Sequence, residues 1–133
     1  MIQLQAITRI FHMGDQVIHA LDHIDLTIDS GEYVSIMGAS GSGKSTLLNV
    51  IGLLDRPNSG QYLLNGKDVT ALSETEQAQV RREKIGFVFQ SFHLIPRLTA
   101  AENIEIPLIL TGMPPAERKE RIAETLQAFN LGD

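Results

Sequence analysis

Gly38-Ala39-Ser40-Gly41-Ser42-Gly43-Lys44-Ser45-Thr46 follows Tyr33-Val34-Ser35-Ile36-Met37 without a break and precedes a run in which Leu47, Leu48, Ile51 and Leu54 recur at helical spacing. The β-prone run, the glycine-rich turn and the periodic run predict the order strand, loop, helix. Gly38 through Ser45 satisfy G-x-x-x-x-G-K-[ST]. Glycines let successive backbone N–H groups turn inward with no Cβ in the way, and the helix that follows points its positive end at the same place. Such a loop is a nest for oxyanions. Lys44 can reach the β- and γ-phosphates of a triphosphate, and the Ser45 hydroxyl can ligate a magnesium ion bridging them. The plain alternative is a glycine turn with Lys44 in solvent, which the strand–loop–helix setting argues against.

On the N-terminal side, Ile24, Leu26 and Ile28 alternate with Asp25, Thr27 and Asp29, and Ile2, Leu4 and Ala6 alternate similarly, so the opening is β-rich. On the C-terminal side, Gln61–Leu64 and Lys67–Val69 flank Asn65-Gly66, a hairpin turn pair. Ser73 with Glu76 forms a capping box for a helix towards Arg82, and Ile85-Gly86-Phe87-Val88-Phe89 then reads as a strand ending at Gln90, a second β–α–β passage. Beyond it the chain turns helical. Phe92, Leu94, Ile95 and Leu98 lie in an aperiodic stretch broken by Pro96, Thr99 with Glu102 caps the next helix, and Pro107 should kink or end it. Pro114-Pro115 opens a last helix with Ile122, Leu126 and Phe129 on one apolar face and Gly132 just past its end.

The chain has 133 residues, 43% hydrophobic and 20% charged, which suits one globular domain and excludes disorder. It has no cysteine, so disulfides, thiolate metal sites and cysteine nucleophiles are ruled out. A net charge of −5 lacks the basic excess of a nucleic-acid binder, so any polyanion must be held locally. Met1-Ile2-Gln3-Leu4-Gln5 does not read as a signal peptide, and apolar stretches such as Leu108-Ile109-Leu110 fall far short of the ~20 residues that span a bilayer. The expectation is a soluble chain. His12, His19, His23 and His93 have no metal-ligand spacing, and Arg81, Arg82 and Lys84 read as a solvated face.

On three stretches the chain resembles the N-terminal part of the ATPase domain of ABC transporters. They are Gly38 to Leu47, Leu54-Asp55-Arg56-Pro57-Asn58-Ser59-Gly60 before the Asn65-Gly66 turn, and Ile85 to Gln90. Arg81-Arg82-Glu83 and His93-Leu94-Ile95-Pro96-Arg97-Leu98-Thr99-Ala100 are most similar to the lipoprotein-release and macrolide-export branch. The resemblance implies an α/β P-loop NTPase fold with an N-terminal antiparallel β portion and the start of a helical subdomain. Residues 1–90 would form the nucleotide-binding core and 91–133 the beginning of the helical part.

It further implies ATP and Mg2+ as ligands. Gly38, Ser40, Gly41, Ser42, Gly43, Lys44, Ser45 and Thr46 would hold the phosphates, and Ser45 and Gln90 would meet the metal. Gln90 would also orient the attacking water, a task a neutral amide beyond a strand end can perform without repelling phosphate. Phe11 stands where the family usually carries a tyrosine against adenine. The implied partners are transmembrane permease subunits and a second copy of the ATPase domain, at the inner face of the cell membrane and with no nucleic acid. Phe92, Leu94, Ile95 and Leu98 would dock on a membrane subunit or pack beneath the helices after them.

A phosphoryl-transfer site also needs a carboxylate at the end of an apolar strand. No Asp lies between Asp68 and Asp133, and Ile51-Gly52-Leu53-Leu54-Asp55 belongs to the helix after the loop. The family's Leu-Ser-Gly-Gly-Gln-type signature and switch histidine are absent too. The expectation is a truncated ATPase domain that binds nucleotide without being hydrolysis-competent alone. Two readings compete: another P-loop phosphotransferase such as a small kinase, whose acceptor-binding region is not located, and a non-hydrolysing, nucleotide-dependent interaction module acting through Phe92 to Leu98.

Overall fold

The computed structural model describes residues 1–131 and divides the chain into two compact units, Met1–Phe87 and a second beginning at Val88. The first is built on an antiparallel sheet. Strands β1 (Ile2–Met13) and β2 (Gln16–Ile28) form a long hairpin, β3 (Ser59–Leu64) pairs with the other edge of β1, and β4 (Lys67–Asp68) pairs with β3, giving the order β2-β1-β3-β4. Asn65 and Gly66 both have positive φ, 50° and 77°, as a two-residue hairpin turn between twisted strands requires.

The expected alternation of Ile2, Leu4 and Ala6 stops at a bulge. Ala6 has φ 49°, the register shifts between Leu4 and Ile7, and Ile7 is the side chain that becomes buried. One extra residue in a period-two pattern moves every later side chain to the opposite face. The core then gathers Leu4, Ile7 and Leu21 from the hairpin, Tyr62 and Val69 from the β3–β4 side, and Val50 and Leu53 from helix α1 (Lys44–Ile51) and the turn after it. Within the expected helical stripe Leu47 and Ile51 pack on this core, whereas Leu48 and Leu54 are exposed. Helix α2 (Glu74–Lys84) opens on the expected capping box: Glu76 N–H donates to Ser73 Oγ at 3.3 Å, and Ser73 N–H donates to Glu76 Oε2 at 2.8 Å.

Neither Tyr33–Met37 nor Ile85–Phe89 lies in a strand, contrary to the expected β–α–β passages. Tyr33 and Met37 are 95% and 87% exposed. A parallel strand is defined by a ladder to its neighbours, and the sheet among the described residues, β2-β1-β3-β4, includes neither run. β-propensity by itself cannot build a ladder.

The second unit consists of helices α3 (Ala100–Leu110) and α4 (Pro115–Ala128), which pack against each other. Thr99 and Glu102 form the expected capping box, and Pro115 takes the first helical position of α4. Pro107 does not end α3, which runs on to Leu110. The proline removes only its own bond to the Asn103 carbonyl, while Arg118 of α4 ties to Glu105 Oε1 at 3.0 Å and to the Met113 carbonyl at 2.7 Å. Ile122 and Leu126 are half-buried, but Phe129 falls past the last turn and is exposed. Gly132 lies outside the described residues.

Candidate functional site

The loop between Gly38 and Lys44 turns on two left-handed glycines, Gly41 at φ 80° and Gly43 at φ 86°. Gly43 cannot be replaced without strain: a Cβ there would stand 2.3 Å from the Ala20 carbonyl oxygen of β2. Its lack of a side chain also leaves α1 without a side-chain cap, and the first turn carries no acidic residue. The amides that open α1 are therefore left to an outside acceptor, with the positive end of the helix behind them.

Lys44 arches back over this loop. Its ammonium donates to the Gly38 carbonyl at 2.9 Å, the Ala39 carbonyl at 2.6 Å and Ser42 Oγ at 3.4 Å. Among the described residues it forms no ion pair, so no protein carboxylate neutralises the charge. The Ser45 hydroxyl makes no hydrogen bond among the described residues. A hydroxyl free to join phosphate oxygens fits the all-oxygen coordination that magnesium takes.

A cavity of about 240 Å³ opens on this loop. Gly41 to Thr46 line one side, and Phe11, Ile18, His19 and Ala20 of the β1–β2 hairpin line the other. The loop and Phe11, more than 25 positions apart in sequence, thus share one cavity. Gly38 and Ser40 belong to the same loop outside that lining. A larger hollow of about 480 Å³ lies elsewhere on this unit and is lined by Arg9, Asp55, Arg56 and Arg81 among others.

Gln90 is exposed in the second unit, as are Phe92, Leu94 and Ile95. His93 there has φ 49° and lies with its ring 4.5 Å from that of Phe89. Arg81 departs from the expected solvated face: it is half-buried and donates to the Leu53 carbonyl at 2.6 Å, satisfying backbone at the turn after α1. Ile18, His19 and Ala20 line the cavity and Arg9 pairs with Asp55, roles that no sequence motif announced. Arg9 stands two positions before Phe11 on β1 and so shares its face of the strand, a signal that was present in the spacing.

Among the described residues no helix is long and apolar enough to cross a membrane, and no group of three histidine or carboxylate side chains could hold a metal ion.

Comparison with known proteins agrees with the loop and with the fold around it. The ABC transporter family model matches residues 21–133, which includes the loop and begins after Phe11. The whole chain is 53% identical to the macrolide export ATP-binding/permease protein MacB of Brucella abortus, covering 21% of that protein. It is 50% identical over its full length to the ABC transporter ATP-binding protein YknY of Bacillus subtilis, covering 58% of it. The solved dimeric ATP-binding cassette MJ0796, in a post-hydrolysis state bound to ADP and Pi, superposes with a TM-score of 0.84 at 48% identity over 96% of this chain and 56% of that one. The chain therefore spans about a fifth of its MacB relatives and a little over half of the separate cassettes. A glycine loop leading into an uncapped helix, in a mixed α/β fold shared at half identity with such cassettes, places this chain in the ABC transporter family, within its ATP-binding domain.

Proposed function

We propose that this chain binds Mg-ATP through the Gly38–Thr46 loop, as the ATP-binding part of an exporter of the MacB type. The observation that carries the reading is the shared cavity: the loop and the residues that open α1, Lys44 among them, on one wall and Phe11 on the other. A triphosphate demands the first and a purine base is served by the second. The ADP and Pi bound to the MJ0796 cassette support a nucleotide as the ligand.

In this reading Gly38, Ser40, Gly41, Ser42 and Gly43 shape the loop around the phosphates, and Lys44 leaves its loop carbonyls to meet the β- and γ-oxygens. Ser45 supplies a metal ligand and Thr46 extends the α1 wall. Gln90 would be the second metal contact and orient water, as the family resemblance implies, and Phe11 would stack on the base. Magnesium, when bound, screens the negative charge of the phosphates. Residues 1–90 then act as the nucleotide-binding core and 91–133 as the beginning of a helical subdomain. In this reading ATP hydrolysis, a second ATPase copy and permease subunits at the inner membrane face would complete the system, a proposal supported by the dimeric cassette and by the ATP-binding/permease name of the relative.

Calorimetry with Mg-ATP tests the reading. Lys44→Ala should weaken binding by at least about tenfold, the loss of one charge-assisted contact, while leaving the unfolding transition of the first unit in place. Unchanged affinity would overturn the assignment.

A further inference from the structure

Phe11 is held from behind. The Arg9 guanidinium carbon lies 4.4 Å from the centroid of the Phe11 ring, within cation–π range. Arg9 lines the larger hollow and Phe11 the loop cavity, so the cation covers part of the ring and leaves other ring surface to the cavity. Arg9 itself has little freedom. Its Nε and Nη2 donate to the two oxygens of Asp55, each at 2.8 Å, a bidentate pair, and its Nη1 donates to Asn58 Oδ1 at 3.3 Å. Asn58 fixes the strand on both sides of Arg9: its Oδ1 accepts from Ile10 N–H at 2.8 Å, and its N–H donates to the Thr8 carbonyl at 2.7 Å.

Asp55 closes the circuit. It lies four residues after α1, whose other end carries the glycine loop. One short segment therefore presents the phosphate loop at its start and anchors the arginine beneath Phe11 at its end, across a helix of eight residues.

We propose that Arg9, clamped by Asp55 and Asn58, is a positioning residue that fixes Phe11 as the platform for the nucleotide base and thereby tunes base affinity without touching nucleotide. The inference rests on the nucleotide reading above. A half-buried aromatic beside an open cavity still has rotamers to choose from, and immobilising one before the ligand arrives removes that ordering cost from binding. A cation on one part of the ring also draws its π-density, which favours stacking of an electron-rich base on the rest.

The test separates base from tail. Mg-ATP and Mg-tripolyphosphate, which has the phosphate chain and no base, are titrated into the unaltered chain, Arg9→Met, Asp55→Asn and Phe11→Ala by calorimetry. Arg9→Met should weaken Mg-ATP by about three- to tenfold, the range of one cation–π contact plus lost ordering, and leave tripolyphosphate within about twofold. Asp55→Asn, which keeps the side-chain shape and Arg9 itself, should show the same base-selective loss in smaller degree. In the Phe11→Ala background Arg9→Met should have no further effect. Equal weakening of both ligands in Arg9→Met and Asp55→Asn, unchanged Mg-ATP affinity in both, or a full Arg9→Met effect without Phe11 would each overturn the proposal. Failure of the unaltered chain to bind either ligand would instead overturn the nucleotide reading, and this inference with it.

Discussion

The two units of the chain are stabilised by different means. In residues 1–87 seven apolar side chains are buried into one cluster, drawn from β1, β2, β3, α1 and the turns beside them. In the second unit neither α3 nor α4 has a buried residue. What orders that unit is local: a capping box at Thr99 and Glu102, Asn103 bonding the Ile95, Leu98 and Thr99 carbonyls, and the Arg118–Glu105 pair. Non-local burial gives cooperative unfolding, whereas caps and half-exposed pairs give structure that opens piecemeal. The candidate phosphate loop is carried by the first kind.

The sharpest way to break this contrast is Tyr62→Ala. Tyr62 is 1% exposed and its hydroxyl donates to the Ile51 carbonyl at 2.8 Å, so truncation should cost about 3–5 kcal/mol. Urea unfolding followed by residue-resolved hydrogen exchange should show amides of β1 and β3 losing protection while α3 and α4 amides change little. Equal loss in both units would mean that they unfold as one. Next in size is Gly43→Ala, which should destabilise the first unit by about 1–3 kcal/mol, read from the same urea midpoint, because of its φ and the Ala20 carbonyl. Thr99→Ala should then cost α3 about 1 kcal/mol of helix stability, visible as faster exchange of the Asn103 and nearby amides and with no effect on the first unit.

Acid and alkali should act last and on different elements: acid on the caps of α2 and α3, one in each unit, and alkali on the core of the first. The Thr99 N–H and hydroxyl hold the Glu102 carboxyl below its usual range, and Ser73 does the same for Glu76 in α2. Depressed values mean that the caps stabilise above the unfolded carboxyl range and lose that contribution as pH falls through the folded values. A circular-dichroism titration should show helix signal lost on acidification, more gradually than the sheet core. Burial pushes Tyr62 up to about 12 from its ordinary 10, so the contribution of Tyr62 to the first unit is complete below pH 10 and is lost as pH climbs from 10 to about 12. A Tyr62→Phe variant should remove that alkaline sensitivity.

Local signals were readable wherever the structure is local. Both capping boxes, the Asn65-Gly66 turn, the Pro115 helix start and the start of the helix after the glycine loop lie where the sequence put them, because each depends on residues within one or two turns of chain, whereas that helix stops at Ile51, short of the expected Asp55. The long β1–β2 hairpin was legible only at its outer ends. Val17, Ile18 and Met13 near its turn are exposed, so its inner half carries no buried alternation to read. Pro107 failed as a stop signal because α4 and the Arg118 contacts hold the turn it weakens.

The sequence alone determined the glycine loop, its lysine and the helix behind it, since a left-handed turn and an uncapped helix start are properties of a few adjacent residues. Tertiary structure decided which residues share the cavity with that loop, and that Arg9, Phe11 and Asp55 form one linked set. It also decided that Tyr33–Met37 is not a strand. Strand identity and cavity walls depend on partners brought in from far along the chain, and no window of sequence contains its own partner.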